Sequence, residues 1–528
     1  MKPFSNISFS DIGSIPLPVK DFLNDNLSGF KENRFSLENF KNQISSKEKS
    51  FTQEQRNVLF EVLSDQLSGL ELSEKQNENH HLLKEKNTFT VVTGHQLNLF
   101  SGPSFFVYKI LQTIKKADFL KENFPNHNFV PVFWLASEDH DFEEINHFKT
   151  REHYYEIHGK SGGAVGRINI EDQFFISRFK EEFKDSVYGT ELIRWIEEAY
   201  KIGNTLTQAT KILVNRLFSE FGLLMIDGDD RRLKIQMKET FKDELLNKSL
   251  FENSKNKVNY LEEKYGKVQV NPREINLFYL SETRDRIDFQ NGKYFVLDKN
   301  IQFTEEEILA ELKNHPEKFS PNALMRPVYQ ETVLPNLAYI GGNAEIMYWF
   351  ELKDYFKNIN IPFPILIPRN SMLFVEEKQL SKMQKLNLKL EDFFGNFAEV
   401  IKRNLLEDSE LSVLIDEKET EIKSVFTQLK DKSSLTDRTF RNLVEAEETR
   451  QLKSYEKMRK RLLRAEKIKQ SEKLERMENL FLAMHPGKIW QERVFNFSVF
   501  YSDFGRSWLQ TCYTEMSVDK SELIIIAI

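Results

Sequence analysis

A single cysteine, Cys512, is found among 528 residues. No intramolecular disulfide can form, which excludes a disulfide-stapled secreted scaffold and points to a reducing compartment. A buried, unreactive thiol is the expected state, as for most free cysteines. Basic charge is also in deficit: 74 Lys and Arg against 81 Asp and Glu give a formal charge of −7. That balance argues against nucleic acid as the main partner, because neutralising phosphates needs a net basic face. Long apolar runs are missing too. No stretch approaches the roughly 18 residues of a membrane span, and the opening MKPFSNISFSDIG lacks the charged-then-apolar layout of a signal peptide. The expectation is a cytoplasmic protein with no membrane partner. Finally, residues 396–485 contain neither glycine nor proline, which excludes a series of short strands and tight turns there and leaves long helices.

What is present suffices for two or three structural units, since 40% of the chain is hydrophobic and its length exceeds one ordinary core. The organising stretch is residues 90–147. Residues 89–93 form a short apolar, β-branched run that stops at Gly94, as a buried strand feeding a loop does. Pro103 can open a helix, and Phe106, Val107, Ile110, Leu111 and Ile114 then repeat at helical spacing. Residues 130–135 are a second apolar run, followed by Glu138, Asp139, His140 and Asp141. Strand, helix, strand is a βαβ unit, whose parallel strands bring both following loops to carboxyl ends, where open α/β sheets bind ligands. Thr93, Gly94, His95 and Gln96 are therefore expected to face Asp139, His140 and Asp141.

Residues 1–88 read as a helical approach to the sheet, with a helix over 51–72 and a surface loop at 77–81 carrying His80 and His81. Residues 153–170 read as a glycine-turn hairpin. Further strands are expected at 223–226, ending at Asp227, at 337–340 and at 364–368. Residues 151–222 and 228–320 are insertions, the second with strands near 278–280 and 294–297. Gly341 and Gly342 leave N–H groups open at a helix start, suited to an anion, with Asn343 as its cap. Residues 391–485 should fold back near 431–434 as a helical pair, with Tyr455, Met458, Leu462 and Ala465 on its seam. The basic group Arg459, Lys460, Arg461 and Arg464 reads as a solvated face. Residues 486–528 should pack back on a core spanning 1–390 and end in an apolar edge strand.

The cluster SEDHDFEEINH admits three readings. Continued as a helix, it places His140, Glu144 and His147 on one face, a possible site for a metal-dependent hydrolase, although HExxH spacing is absent. It is also a plausible acidic helix cap. The third reading is the wall of a ligase site: Asp139 or His140 takes the proton from an attacking amine, while Gly94, Gln96, Arg326 and Arg369 meet phosphate and developing oxyanion. A nucleotide-sensing coiled-coil scaffold without catalysis is the alternative from another class.

Five ordered blocks, TGHQLNLFSGPSFFVYK, PVFWLASEDHDFEEINH, LMRPVYQETVLPNLAYIGGNAEIMYW, PILIPRNS and IWQERVFNF, closely resemble the BshC family, the cysteine ligases of bacillithiol biosynthesis. His95 stands where that family usually has Gln. The resemblance implies an α/β fold with a Rossmann-like core, a parallel sheet, inserted connecting segments and an α-helical coiled-coil arm. It also implies attachment of L-cysteine to the amine of glucosaminyl-malate through an ATP-activated cysteinyl intermediate. No metal is assigned to the site, metal dependence stays open, and a homodimer is expected. The resemblance adds Gln330 and Glu345 to the candidate binding residues.

Overall fold

The computed structural model describes residues 1–297, 299–407, 409–433 and 435–528. Two compact units are present. The first holds residues 1–11, 15–374 and 491–527; the second holds 12–14, 375–490 and 528.

The first unit is built on five strands: β1 (Thr88–His95), β2 (Asn128–Leu135), β3 (Leu224–Asp227), β4 (Asn336–Gly341) and β5 (Ile365–Pro368). Their order is β5-β4-β1-β2-β3, and every pairing is parallel. Each expected core strand forms. They read as near-continuous apolar runs because a parallel sheet of this kind is covered on both faces. Helix α1 (Phe105–Asn123) is the crossover from β1 to β2 and buries Phe106, Val107, Ile110, Leu111 and Ile114. The β1–β2 register runs unbroken from Thr88↔Asn128 to His95↔Leu135, so the two following loops emerge level with one another. Strand order reverses at β1, with β2 and β3 on one side and β4 and β5 on the other. The crevice at such a reversal is where doubly wound sheets bind ligands.

Elsewhere the structure corrects the sequence reading. Residues 77–81 belong to a helix, Glu74–Leu82, started by a Ser73–Gln76 capping box, and His80 is buried with its ring stacked 4.2 Å from Phe60. The 153–170 hairpin does not form: Tyr154–Glu156 pairs instead with His147–Lys149, and the glycines continue as a loop. Insertion 228–320 contributes to a second, antiparallel sheet, ordered Ile301–Phe303, Lys293–Val296, Arg284–Gln290, Leu277–Leu280, Phe319–Pro321. Cys512 is buried as expected, and desolvation pushes its thiol well above its ordinary value.

The tail is not an edge. Glu522–Ala527 is the middle strand between Lys2–Ser8 and Ser371–Val375, and all of its residues are buried. Burying Leu523, Ile524, Ile525 and Ile526 contributes roughly 1.5–3 kcal/mol each, a sum comparable with the about 5–15 kcal/mol that keeps a domain folded. Deleting residues 522–528 is expected to abolish cooperative urea unfolding followed by circular dichroism. A normal transition in the deletion would contradict this placement.

In the second unit, Glu410–Ser433 packs along Arg438–Lys469. Lys430 pairs with Glu448, and Arg459 pairs with Asp416 and Glu419, so the partners step in opposite senses and the helices are antiparallel. Ser434 of the expected fold point lies outside the described residues. The seam is shifted from the one read in sequence. Val444, Glu448, Leu452, Tyr455, Arg459, Leu462 and Glu466 are among the half-buried or buried positions, whereas Met458 and Ala465 are exposed. Arg459 can occupy the seam because two carboxylates receive its guanidinium. Lys460, Arg461 and Arg464 are the solvated face.

Candidate active site

The two loops that follow β1 and β2 do meet. Gln96 Nε2 donates to Asp139 Oδ2 at 2.8 Å and to Glu144 Oε2 at 2.9 Å, while Asp139 Oδ1 accepts the His140 backbone N–H at 2.8 Å. The acidic loop is in turn splinted from behind by the glycine loop. The Val165 N–H donates to the Asp139 carbonyl at 2.7 Å and the Gly166 N–H to the Ser137 carbonyl at 2.8 Å. A Cβ on Gly166 would collide with Thr207 Oγ1 and stand 2.6 Å from Ser137 Cβ and 3.0 Å from Ser137 Cα, closer than packed atoms approach, so glycine is required where this backbone passes Ser137 and Thr207. Gly166→Ala is expected to displace this loop and lower kcat/KM about 10²-fold, the scale of an ångström misplacement, with the unfolding transition retained. Unchanged kinetics would remove the splint from the account.

A cavity of about 550 Å³ opens at these carboxyl ends. Six arginines line it: Arg273, Arg284, Arg286, Arg326, Arg369 and Arg493. Its carboxylates are Glu138, Asp139 and Glu345, of which Glu138 is spent on buried Lys234 at 2.5 Å and Glu345 on buried Lys109 at 2.7 Å. A chain of net negative charge thus concentrates positive charge in one cleft, where low-dielectric walls strengthen it. Among the described residues, Arg273, Arg286, Arg326 and Arg493 have no ion pair. Arg326 is held instead by neutral oxygens, Gln330 Oε1 at 3.0 Å and the hydroxyls of Tyr348 and Tyr339 at 3.2 and 3.4 Å. Its charge remains available to an anion.

Of the residues singled out from sequence, Gly94, His95, Gln96, Asp139 and His140 line this cavity, as do Arg326, Gly342, Asn343, Glu345 and Arg369. The others sit behind or beside it. Thr93 is buried, its hydroxyl donating to the Ile340 carbonyl at 2.8 Å, which ties β1 to β4. Gln330 is buried beneath Arg326. The Gly341 carbonyl accepts the Arg369 N–H at 2.8 Å. Asp141 is exposed and caps the short helix Phe142–Ile145.

Several roles change. The Gly342 N–H is not open, because Glu345 Oε1 accepts it at 3.0 Å. Asn343 is the first residue of helix α2 (Asn343–Glu351), and Gly342 holds the cap position. Glu345 is a structural anchor: burial alone would raise its pKa, but Lys109, Tyr339 and the Gly342 N–H outweigh it and hold it at about 2. Arg369 is buried and forked onto Glu492, at 3.1 and 2.7 Å, so its charge is already compensated. His95 packs against Phe105 and Phe106, and desolvation lowers its pKa to about 3, which leaves it neutral. The helical face proposed for His140, Glu144 and His147 does not exist, because the helix ends at Ile145 and His147 begins a strand. Among the described residues no group of His, Cys, Asp and Glu is placed to hold a metal ion.

The insertion supplies what the sequence reading missed. Arg284 and Arg286 alternate on one strand and so share a face; that spacing was the available signal. Arg284 Nη1 lies 2.9 Å from His140 Nδ1. A guanidinium only donates, so Nδ1 accepts and the imidazole proton resides on Nε2. Desolvation and the Arg284 charge both push the His140 pKa down. His140 is therefore a neutral imidazole that presents its Nε2–H as a donor.

A parallel sheet opening at its switch point onto an arginine-lined cavity places this chain among Rossmann-like α/β proteins. Residues 19–370 match "Bacillithiol biosynthesis BshC, N-terminal Rossmann-like domain", and residues 372–528 match "Bacillithiol biosynthesis BshC, C-terminal coiled-coil domain". A relative from Flavobacterium johnsoniae is 41% identical over 95% of this chain and 96% of its own length. One from Christiangramia forsetii is 38% identical over 99% of each chain, and one from Flavobacterium psychrophilum is 41% identical over 95% of each. All three bear the name "Putative cysteine ligase BshC". The chain belongs to the BshC family.

Proposed function

We propose that this chain is a ligase joining the carboxyl group of L-cysteine to the amine of glucosaminyl-malate, or a close relative, as the last step of bacillithiol biosynthesis. ATP supplies the activation that amide formation in water requires. The observation that carries this reading is the pairing of Gln96 with Asp139 at 2.8 Å inside a cavity lined by arginines. An amine must lose its proton before it attacks a carboxyl carbon, and Asp139 is the carboxylate on hand to orient it and accept that proton. His140 Nε2–H is a donor for the oxyanion that develops, while Gln96, whose two N–H groups go to Asp139 and Glu144, holds the carboxylate in place. Arg326, Arg286, Arg273 and Arg493 suit the phosphates of a nucleotide and the carboxylates of a malyl group, since guanidinium forks match both. A cytoplasmic homodimer completes the proposal.

Purified protein incubated with L-cysteine, ATP and glucosaminyl-malate tests it. The expected result is one thiol product per ATP consumed, with omission of any component stopping its formation. ATP consumption independent of the amino sugar, with no new thiol, would overturn the ligase reading and favour the nucleotide-sensing scaffold.

A further inference from the structure

Three buried lysines of the first unit are each matched by a carboxylate: Lys47 by Glu331 at 3.1 Å, Lys109 by Glu345 at 2.7 Å and Lys234 by Glu138 at 2.5 Å. Lys116 differs. It lies on α1, is 2% exposed, and its Nζ sits 3.8 Å from the centroid of the Phe35 ring. Among the described residues that ammonium makes no hydrogen bond and no ion pair. It opens instead on a separate cavity of about 200 Å³ that shares no lining residue with the active site. A buried charge is retained only when something compensates it, and an aromatic face is a partial answer.

The rest of the lining fits one ligand chemistry. Arg34 reaches the cavity while tied to Asp25 at 3.1 Å. Lys520, which makes no ion pair among the described residues, adds a second cation and Asp519 opposes one charge; Ser10 and Ser521 also line the cavity, their hydroxyls donating to Asn24 Oδ1 at 3.0 Å and to the Pro368 carbonyl at 2.7 Å. Phe35, Leu366, Ile367 and Pro368 form apolar walls. We propose that this cavity is a binding site for a small oxyanion of phosphate or short carboxylic acid size, with Lys116 as its counter-charge. The space is too small for a nucleotide, since sites for drug-sized ligands begin at about 300 Å³. Desolvation lowers the Lys116 pKa to about 7, so an arriving anion restores the proton and its binding draws one from solution near neutral pH.

The test uses the full chain in anion-poor buffer, with inorganic phosphate and acetate as separate probes. Thermal unfolding and calorimetry are followed in the wild type, in Lys116→Met, and in Arg326→Met, which weakens the larger cavity. One probe is expected to stabilise the wild type and Arg326→Met saturably, while Lys116→Met binds about 10-fold or more weakly, the scale of a lost charge-assisted hydrogen bond. A response to phosphate assigns a phosphate-like ligand, and a response to acetate alone assigns a carboxylate. Equal responses in the wild type and Lys116→Met, or none in either, would overturn the site. Should Lys116→Met not fold, a wild-type crystal soaked in selenate decides: an anomalous peak at hydrogen-bond distance from Lys116 Nζ supports the site, and its absence sinks it.

Discussion

Asp139→Asn is expected to lower kcat for amide formation by about 10²–10⁴-fold, the usual worth of a positioned proton acceptor, with little change in KM. Asparagine keeps the shape of the side chain, and its one carbonyl oxygen can still receive the Gln96 hydrogen bond, which now spans 2.8 Å, at the loss of the His140 N–H bond at 2.8 Å to the other oxygen, but it cannot take up a proton. The change therefore separates orientation from deprotonation. His140→Gln should cost less, because Arg284 at 2.9 Å already makes His140 a donor and glutamine can donate too. Single-turnover measurements over a pH series check both. If Asp139→Asn retained wild-type kcat while His140→Gln lost it, the roles of the two residues would be reversed and the tautomer argument would fail.

Glu492→Ala is expected to destabilise the first unit by about 3–5 kcal/mol, the cost of leaving one member of a buried ion pair unmatched. Arg369 and Glu492 are 4% and 1% exposed at their side chains. Glu492 also receives the Ser371 hydroxyl at 3.0 Å and the Met372 N–H at 3.2 Å, so its loss strands several buried donors at once. The magnitude is a large share of the stability of an ordinary domain. Replacing both partners by apolar residues of similar volume should recover much of it, since the desolvation of both charges is then avoided. Urea unfolding of the two single variants and the double variant measures the coupling. A loss below about 1 kcal/mol, as for an exposed pair, would contradict the burial assigned here.

The sheet was legible because each core strand is a continuous apolar run closed by a loop signal, and because parallel βαβ geometry forces successive loops to one end. The same geometry places Gln96 opposite Asp139. It does not extend to Arg284 and Arg286. Local alternation identifies a strand but not the sheet against which an insertion lands, so the cleft's extra arginines became visible only in three dimensions. Gly166 misled for a related reason: glycine there answers to a neighbouring backbone at Ser137, whereas a hairpin was the local reading. In the helical pair, Arg459 lies on the seam because distant Asp416 and Glu419 accept it, and apolar spacing alone selected Met458 instead. Arg369 was read as an open cation because its partner, Glu492, lies 123 positions away in the chain.

The central claim is that the cleft adds cysteine to an amino sugar. Mass spectrometry of thiols, trapped by alkylation in cells with and without this chain, tests that most directly. Loss of the cysteinylated thiol together with build-up of its amino-sugar malate precursor is the expected result. An unchanged thiol pool in cells lacking the chain would contradict the ligase assignment, and the family membership would then stand as a statement about ancestry and fold.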